Sequence, residues 1–474
     1  MKRIAVIAPE GTLDLAALED AADRGGLRFS AAGIPSGALV ALMLPNCLAF
    51  VPAYLALRRL SATVALIPPK YRARELEAIR RGVAPVCFVT TKTATQAPGL
   101  AARRVALVDF PCAGEQLAVV FPPENERTSV IPPGTVLLKF TSGSTGQPKG
   151  IAFDVANLET EATNIVRGLG IGPDDMILAP VPLCHSYGFD LGVLTLLQAG
   201  CTLALEKGFV PRRMLQDLAS GRVTVFLGVP AMYRACLALP ESVDASPRVR
   251  YLLSCTAPLP ASVITAFHAR YGAAICQHYG SSETGAVTTH VPAQVLERPD
   301  SVGRPMGDVA VSVVDAAGRP VAPGVEGEVV VSSGAVAHGG YVLGALADRT
   351  PFQRDGYHTG DVGRFADGFL TVHGRVDDLI NVGGFKVSPR EVIDVLESYP
   401  AVSEAAVVGV RGPSGEEVVY AAVTLSRAAT EADILAHCRS RLAEYEIPRR
   451  VDIRSSLPHG PTGKVRLRAQ DVRL

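Results

Sequence analysis

Short apolar runs alternate with longer amphipathic stretches through about the first 300 residues of the chain. Ala38–Leu44, Thr63–Ile67 and Val86–Thr90 are apolar segments of strand length, which is typical of strands buried on both faces. Between them, Cys47–Leu60 and Ala73–Gly82 have the length and the spacing of apolar positions expected of helices. This strand–helix–strand order predicts a parallel sheet covered by helices on both faces.

The same order returns after residue 175 and predicts a second, similar α/β unit. The predicted strands of this unit are Met176–Ala179, Thr202–Leu205, Val223–Leu227 and Tyr251–Ser254. Its predicted helix is Gly188–Ala199. From Val309 the apolar runs are shorter, and Gly and Pro separate them. That pattern predicts a small β-barrel or antiparallel sheet.

The last hundred residues predict a separate α+β unit. Its first helix has Ser388 at the N-cap and Pro389 at the first helical position. The elements predicted after it are strands Glu404–Val410, Val418–Leu425 and Arg450–Arg454 and helix Glu431–Arg441. We therefore predict an α/β protein with two domains. Residues 1–375 form two doubly wound α/β subdomains and a small β-barrel, and residues 376–474 form a small α+β domain.

Composition excludes several classes of protein. Lys plus Arg and Asp plus Glu both number 46, so the chain lacks the basic excess of a typical nucleic-acid binder. The nine cysteines are odd in number and never spaced as CxxC, which argues against a disulfide framework or a structural zinc site. No uninterrupted run of about 20 apolar residues is present, and Ile4–Ala8 is too short for a signal-peptide core. We expect a cytoplasmic protein.

The strongest chemical signal is Thr141–Gly150, which reads Thr-Ser-Gly-Ser-Thr-Gly-Gln-Pro-Lys-Gly and follows an apolar strand. Its glycines allow a tight turn in which successive N–H groups converge on anionic oxygens. Hydroxyl groups add donors, and Lys149 adds a cation. The spacing differs from that of the common NTPase P-loop. Ser and Gly also fill flexible linkers, and from the residues alone that alternative stays open.

Thr141–Gly150 resembles the phosphate loop of the adenylate-forming superfamily, which includes acyl-CoA synthetases, aryl-CoA ligases, peptide-synthetase adenylation domains and beetle luciferases. Further segments resemble the family's motifs in the family's order, and they are Tyr279–Gly285, Tyr357–Asp361, Gly374–Asp378 and Pro461–Lys464. The resemblance runs from about residue 35 to the end. It implies that the protein activates a carboxylic acid with ATP and Mg²⁺, releases pyrophosphate and passes the acyl group from acyl-AMP to a thiol.

The resemblance also implies roles for individual residues. Contacts with ATP or AMP are implied for Thr141, Ser142, Gly143, Ser144, Thr145, Gly146, Ala257, Pro258, His278, Tyr279, Gly280, Ser281, Ser282, Thr284, Asp361 and Arg375. Catalytic roles are implied for Lys149, His185 and Lys464, and magnesium ligation for Glu283 and Thr145.

The chemistry of these side chains fits such roles. Tyr279 offers a flat face to an adenine ring, and Asp361 can accept hydrogen bonds from both ribose hydroxyls. Lys464 can stabilise the negative charge that develops as a carboxylate attacks the α-phosphorus. A core tyrosine, a surface ion pair and a solvated lysine are the structural alternatives.

The second half-reaction is expected to involve movement of the small domain. The resemblance implies a hinge at Asp377 and a pantetheine tunnel lined by Gly383 and Gly384. Asn381 stands where many relatives have Lys, and Lys386 lies nearby. The thiol is expected to be coenzyme A or the phosphopantetheine arm of a carrier protein.

The acyl pocket is predicted from the same resemblance to be lined by Tyr187, Phe189, Val229, Cys255, Thr256 and His278. Tyr187 stands thirteen residues before Gly200, where amino-acid-activating relatives normally carry Asp, and Asp190 comes three residues too late. An α-amino acid is therefore disfavoured. Cys255, Thr256 and His278 replace smaller residues, which favours a small aromatic or short, hydroxylated acid unless these side chains turn into the core.

Two other classes of function remain as alternatives. A luciferase-like oxidoreductase would share the adenylation step, and a non-catalytic scaffold would share only the fold. We expect a small carboxylic acid as the substrate and a monomer or homodimer, with a carrier protein as a further candidate partner.

Overall fold

The computed structural model describes residues 3–96, 99–100, 102–123, 130–142, 148–240, 245–246, 248–337, 339–343, 351–382, 385–411, 417–458, 465, 467 and 469–472. The strands, in chain order, are β1 (Ile4–Ala8), β2 (Gly11–Asp14), β3 (Leu39–Met43), β4 (Thr63–Leu66), β5 (Cys87–Thr91), β6 (Arg104–Val108), β7 (Leu117–Phe121), β8 (Leu137–Ser142), β9 (Pro148–Phe153), β10 (Met176–Ala179), β11 (Thr202–Leu205), β12 (Val225–Gly228), β13 (Tyr251–Ser254), β14 (Ile275–Ser281), β15 (Gly285–Thr289), β16 (Arg304–Pro305), β17 (Ala310–Val314), β18 (Glu326–Ser332), β19 (Tyr341–Leu343), β20 (Phe352–Gln353), β21 (Gly356–Ala366), β22 (Phe369–Arg375), β23 (Ile380–Val382), β24 (Phe385–Val387), β25 (Val402–Arg411), β26 (Glu417–Leu425) and β27 (Arg450–Ile453).

The helices are α1 (Leu15–Ala31), α2 (Phe50–Arg59), α3 (Ala73–Gly82), α4 (Val155–Leu169), α5 (Ser186–Gly188), α6 (Thr195–Ala199), α7 (Pro211–Ala219), α8 (Pro230–Leu237), α9 (Ala261–Tyr271), α10 (Pro389–Glu397) and α11 (Glu431–Arg439). Within the described ranges, no helix is long and apolar enough to cross a membrane.

The first large sheet has the strand order β19-β9-β8-β4-β3-β5-β7-β6. Its centre, from β8 to β5, is parallel and built of buried apolar strands, as predicted. Its edges are antiparallel, because β7 pairs with β5 and β9 turns back on β8 as a hairpin. The prediction of a parallel sheet is therefore wrong at both edges, where the strands run antiparallel to their neighbours.

The second large sheet has the order β16-β15-β14-β13-β12-β10-β11-β1-β2 and is parallel from β14 to β1. The first strand of the chain, β1, pairs with β11 and so belongs to this sheet rather than to the first one. The two sheets with their covering helices confirm the predicted fold class.

The predicted helix Gly188–Ala199 is interrupted. It begins at Ser186, and Phe189–Leu194 forms a six-residue π-helical segment between α5 and α6. Such segments are rare and occur often at functional sites, because the wider turn reorients the side chains around it. Here the segment turns Phe189 and Asp190 into the core.

The antiparallel unit predicted after Val309 is a five-stranded sheet in the order β17-β18-β21-β20, with β22 paired to β21. Val329, Val331 and Leu370 form its buried centre. This sheet carries Asp361 and Arg375 on adjacent strands.

The C-terminal unit packs β25, β26 and β27 against α10 and α11 around its own apolar cluster. Helix α10 begins at Pro389 with Ser388 at the N-cap position, but the Ser388 hydroxyl donates to the carbonyl of His373 at 2.8 Å instead of capping the helix. Arg234 of α8 is joined to Glu397 of α10 at 2.8 Å. The division at residues 375 and 376 remains a prediction.

Candidate nucleotide and acyl site

The predicted phosphate loop sits at the turn of the β8–β9 hairpin. Thr141 pairs with Lys149 and Ser142 with Pro148, so the ladder brings both ends of the loop together. The Lys149 ammonium lies 4.8 Å from the centre of the Tyr341 ring, which belongs to the neighbouring strand β19. Gly143, Ser144, Thr145 and Gly146 lie outside the described residues, as does the side chain of Ser142.

Glu283 lies at the turn between β14 and β15, and only 9% of the residue is exposed. The Tyr341 hydroxyl lies 2.8 Å from Glu283 Oε1, and the Tyr357 hydroxyl lies 3.1 Å from that of Tyr341. Ser281 and Thr284 close the turn by exchanging hydrogen bonds through their hydroxyls and backbone N–H groups. The carboxylate is therefore held by Tyr341, whose hydroxyl is in turn contacted by Tyr357 from the adjoining sheet.

This arrangement fits a magnesium ion bound mainly by substrate. Within the described part of the chain, no group of three His, Cys, Asp or Glu residues could hold a metal ion. Mg²⁺ commonly takes one or two protein carboxylates and completes its shell with phosphates and water. Glu283 supplies such a carboxylate, whereas the second predicted ligand, Thr145, lies outside the described residues.

Tyr279, Asp361 and Arg375 form a second group. The Tyr279 hydroxyl donates to Asp361 Oδ2 at 2.6 Å, and Arg375 Nη1 lies 3.4 Å from Asp361 Oδ1. The pairing of β21 with β22 sets Asp361 opposite Arg375. Burial, with the Asp361 charge beside it, raises the pKa of the Tyr279 phenol, which therefore stays a neutral donor.

Gly360 maintains the position of the Arg375 guanidinium. It has a φ of +70°, and a Cβ on it would lie 2.8 Å from Arg375 Nη2. Any larger residue would be strained there and would displace the guanidinium.

On the predicted acyl side, the centres of the Tyr187 and His278 rings are 5.9 Å apart and their planes are tilted by 30°. The Tyr187 hydroxyl and His278 Nδ1 are buried and have no hydrogen-bond partner in the described part of the chain. Burial lowers the pKa of His278 to about 4 and raises that of Tyr187, so both are neutral at physiological pH. A buried polar atom without a hydrogen-bond partner indicates a position at which a bound ligand would supply the missing hydrogen bond.

Ser186 connects this side to the Glu283 turn, and His185 precedes it. The Ser186 hydroxyl donates to Ser282 Oγ at 2.8 Å. Burial lowers the pKa of His185, which precedes α5 and accepts the Phe189 backbone N–H on its carbonyl. The acyl-side helix and the predicted nucleotide segment are thus in direct contact.

The other residues predicted to line the acyl pocket differ in how deeply they are buried. Cys255 is buried near Tyr187, and Thr256 is exposed with a φ of +74°, a conformation that costs a β-branched residue about 1–3 kcal/mol. Val229 is partly buried just before α8. Phe189 is completely buried, and its ring packs edge-on against Tyr54 of α2, 5.1 Å away. The π-helical turn therefore gives Phe189 a core position, and the structure does not bring it to Tyr187.

Some predicted residues cannot be located. Lys464, Gly383 and Gly384 lie outside the described residues, and nothing is described of the Asp377 side chain. Ala257 and Pro258 follow Thr256 in the loop after β13, where Ala257 is half-buried and Pro258 is exposed. The sequence analysis missed Tyr341 and Tyr357 as supports of Glu283. Tyr357 begins a motif that the sequence analysis recognised, so its role could have been predicted. For Tyr341 the only local signal is the pair of glycines that precedes it.

Comparison with known proteins identifies the family. A model described as "AMP-binding enzyme" matches residues 1–341, and one described as "AMP-binding enzyme C-terminal domain" matches residues 391–464. The chain belongs to the AMP-binding enzyme family. The predicted superfamily and the predicted enzyme class, an AMP-forming acid–thiol ligase, are confirmed.

Similar members of this family are named as CoA ligases. A feruloyl-CoA synthase of Amycolatopsis sp is 34% identical over 93% of this chain and 89% of its own. An oxalate–CoA ligase of Arabidopsis thaliana is 30% identical over 98% of this chain and 94% of its own. The solved structure of o-succinylbenzoate CoA synthetase from Bacillus subtilis with its acyl-adenylate has a TM-score of 0.82 at 25% identity, covering 98% of this chain and 94% of that one.

Proposed function

We propose that this protein converts a small carboxylic acid, ATP and coenzyme A into an acyl-CoA thioester, AMP and pyrophosphate. The observation that carries the proposal is the convergence of Tyr279, Asp361 and Arg375 beside the Glu283 turn and the β8–β9 hairpin. In the first step a carboxylate oxygen of the acid bonds to the α-phosphorus, and the bond from that phosphorus to pyrophosphate breaks. In the second step the thiolate displaces AMP from the acyl carbon.

The nucleoside half of ATP would occupy the Tyr279–Asp361 side. The carboxylate of Asp361 can accept both hydroxyls of a cis-diol, and Arg375 beside it compensates its charge. Tyr279 holds Asp361 through its own hydroxyl, so the carboxylate is oriented before ATP arrives. We assign the adenine contact to the Tyr279 ring and to the Gly280–Ser282 backbone.

The triphosphate would lie along the hairpin. Lys149 enters from β9, Thr141 from β8, and Glu283 faces them across Tyr341. A bound Mg²⁺ would neutralise charge on the phosphates. Lys464 is assigned to the adenylation step, where a cation supplied by closure of the small domain stabilises charge on the leaving pyrophosphate. The motion is assigned to a hinge at Asp377, with the thiol entering past Gly383 and Gly384.

The acyl pocket supports a small, uncharged acyl group. Asp190 is 2% exposed, and its two carboxylate oxygens lie 2.7 and 2.8 Å from Lys139 Nζ, so it is not free to bind an ammonium group. Tyr187 and His278 are neutral, and their ring separation leaves no gap for a third ring between them. A second anionic group on the acid would be buried beside these two neutral rings, which supply no counter-ion. We therefore favour a compact aryl or short acyl acid with a neutral polar group.

The family comparison supports coenzyme A as the acceptor, because the similar proteins are named as CoA ligases. A carrier-protein phosphopantetheine would present the same thiol and remains the second candidate. Release of AMP that depends on free coenzyme A supports the first. Adenylate that stays enzyme-bound until a carrier protein is added supports the second.

The direct test is acid-dependent exchange of labelled pyrophosphate into ATP. The panel comprises benzoates, cinnamates, short and long fatty acids, dicarboxylates and amino acids, and Lys464→Ala is the matched variant. We expect exchange with compact neutral acids and at least about a 100-fold loss in the variant, as when a transition-state charge contact is removed. Exchange with amino acids would contradict the acyl assignment. Absence of exchange with every acid, with ATP still bound, would contradict the proposed function.

A further inference from the structure

A buried cluster of charged residue types lies behind the site and has no role in the chemistry above. Lys139 of β8 and Asp190 of the π-helical segment form an ion pair whose side chains are 2% and 3% exposed. Glu161 of α4 is equally buried, and its Oε1 accepts the Ala286 backbone N–H at 2.8 Å. Its other oxygen, Oε2, is buried and has no hydrogen-bond partner in the described part of the chain.

The positions of these residues connect three parts of the candidate site. Lys139 stands two residues before Thr141 on the same strand, and Asp190 stands three residues after Tyr187. Glu161 lies on the helix that follows β9 and accepts a hydrogen bond from Ala286, the residue that follows the Glu283–Gly285 turn. The cluster therefore joins the phosphate hairpin, the acyl-side helix and the Glu283 turn inside the core.

The ion pair between Lys139 and Asp190 determines which of the two carboxyl groups in the cluster is ionised. Lys139 already contacts both carboxylate oxygens of Asp190, so its charge is matched. An ionised Glu161 would leave a buried negative charge with a single backbone donor, beside a second carboxylate, and such a charge is very costly in the interior. A neutral carboxylic acid avoids that cost and still accepts the Ala286 N–H.

The backbone of the Glu283–Gly285 turn packs closely against the Glu161 carboxyl group. Gly285 has a φ of +69°, and a Cβ on it would lie 2.1 Å from Glu161 Oε2. Only glycine allows the turn to approach the carboxyl group this closely. The position of Glu283 is thus set partly by the packing of Gly285 against Glu161.

We propose that Glu161 acts as a neutral carboxylic acid that, together with the Lys139–Asp190 ion pair, fixes the Glu283–Gly285 turn relative to the phosphate hairpin. Glu161 is in this sense a positioning residue and does not touch the substrate. Its role in catalysis rests on the proposed adenylation function, whereas its protonation state does not.

The electrostatic environment agrees with this assignment. Burial, followed by the nearby Asp190 charge, raises the pKa of Glu161 to about 8, and Lys139 and the Ala286 N–H oppose that rise. Burial also raises the pKa of Asp190, against the pull of Lys139, and Tyr54 of α2 is a neutral phenol facing the same group. Since the folded pKa of Glu161 exceeds its unfolded value, the stability it contributes is complete at low pH and falls as the pH rises to about 8.

The first experiment compares thermal unfolding of the wild-type protein, Glu161→Gln and the exposed control Glu159→Gln on the same helix between pH 5 and 9. Gln keeps the acceptor for Ala286 and cannot ionise. We expect the unfolding temperature of Glu161→Gln relative to wild type to rise by about 2 °C or more between pH 5 and 8 and then to level off. A constant difference, or a Glu161→Gln protein that fails to fold, would overturn the proposal.

The second experiment measures kcat/KM for ATP in pyrophosphate exchange. We expect the wild-type value to decline above pH 8, and we expect Glu161→Gln to keep at least about half of the wild-type value at pH 7 and to show no such decline. Glu161→Ala, which leaves the Ala286 N–H without its acceptor, should lose about tenfold. Equal activity of the Ala and Gln variants would overturn the positioning role. If the wild-type protein itself shows no exchange, the proposed function fails, while the unfolding data still decide the state of Glu161.

Discussion

Replacing Tyr341 by Phe isolates one interaction at the centre of the site. The wild-type hydroxyl lies 2.8 Å from Glu283 Oε1, while the ring lies beneath the Lys149 ammonium. Phe keeps the ring and removes only the hydroxyl, so Glu283 becomes free to change its orientation. Hydrogen bonds to charged groups contribute about 1.5–3 kcal/mol, which corresponds to about a 10- to 150-fold loss in kcat/KM for MgATP.

The assay is pyrophosphate exchange at a series of magnesium concentrations. Tyr357→Phe is the control, because Tyr357 contacts the Tyr341 hydroxyl at 3.1 Å and Glu283 keeps its own bond from Tyr341. We expect the control to lose less than about threefold, since it removes only a neutral hydrogen bond between tyrosines. The requirement for magnesium should rise in Tyr341→Phe alone.

A double-mutant cycle decides whether Tyr341 acts through Glu283. In Glu283→Gln the charged partner is absent, so adding Tyr341→Phe should cost little more. Losses that simply multiply would show that the two residues act independently. A Tyr341→Phe enzyme within about twofold of wild type would refute the idea that this hydroxyl positions the carboxylate.

Two further substitutions and one labelling experiment test other parts of the site. Asp361→Asn replaces the proposed acceptor of the ribose hydroxyls and weakens the contact with Arg375, so kcat/KM for ATP should fall by about 10- to 100-fold. The preference for ATP over 2′,3′-dideoxy-ATP should also shrink, and an unchanged preference would place the ribose elsewhere. His278→Gly removes the ring beside Tyr187, and kcat/KM for cinnamates should rise at least about fivefold while that for the shortest acids falls. Burial raises the pKa of Cys255 to about 12, so peptide mass spectrometry after iodoacetamide treatment at pH 7.5 should find it unmodified, and rapid alkylation would show an accessible thiolate.

The sequence allowed the fold class and most central strands to be predicted, because buried parallel strands appear as continuous apolar runs. Strand β4 was predicted to within one residue, and β10 was predicted with the observed bounds. The partner of a strand is not encoded in such runs. β1 joins the second sheet beside β11, about 200 residues away in sequence, and no local pattern indicates that pairing.

Side-chain direction was harder to predict than position. Phe189 was assigned to the acyl pocket from its place in a motif, but a π-helical turn rotates it into the core against Tyr54. Ser388 occupies the predicted N-cap position, yet its hydroxyl bonds to a carbonyl of the preceding sheet. In both cases tertiary contacts override a local rule. The support of Glu283 by Tyr341 is of the same kind, since it depends on how two sheets meet.

In the proposed binding mode, the distribution of charge across the site orients the acid. Lys149 and Arg375 lie on the nucleotide side, whereas Tyr187 and His278 on the acyl side are buried and neutral. A carboxylate placed on the acyl side would lose its hydration without gaining a counter-ion, which is strongly unfavourable in a buried pocket. The same group placed toward the phosphates is solvated by cations. We therefore expect the reacting carboxylate to point toward the α-phosphorus and away from the neutral Tyr187 and His278, and we expect an acid with a second carboxylate to bind in competing orientations.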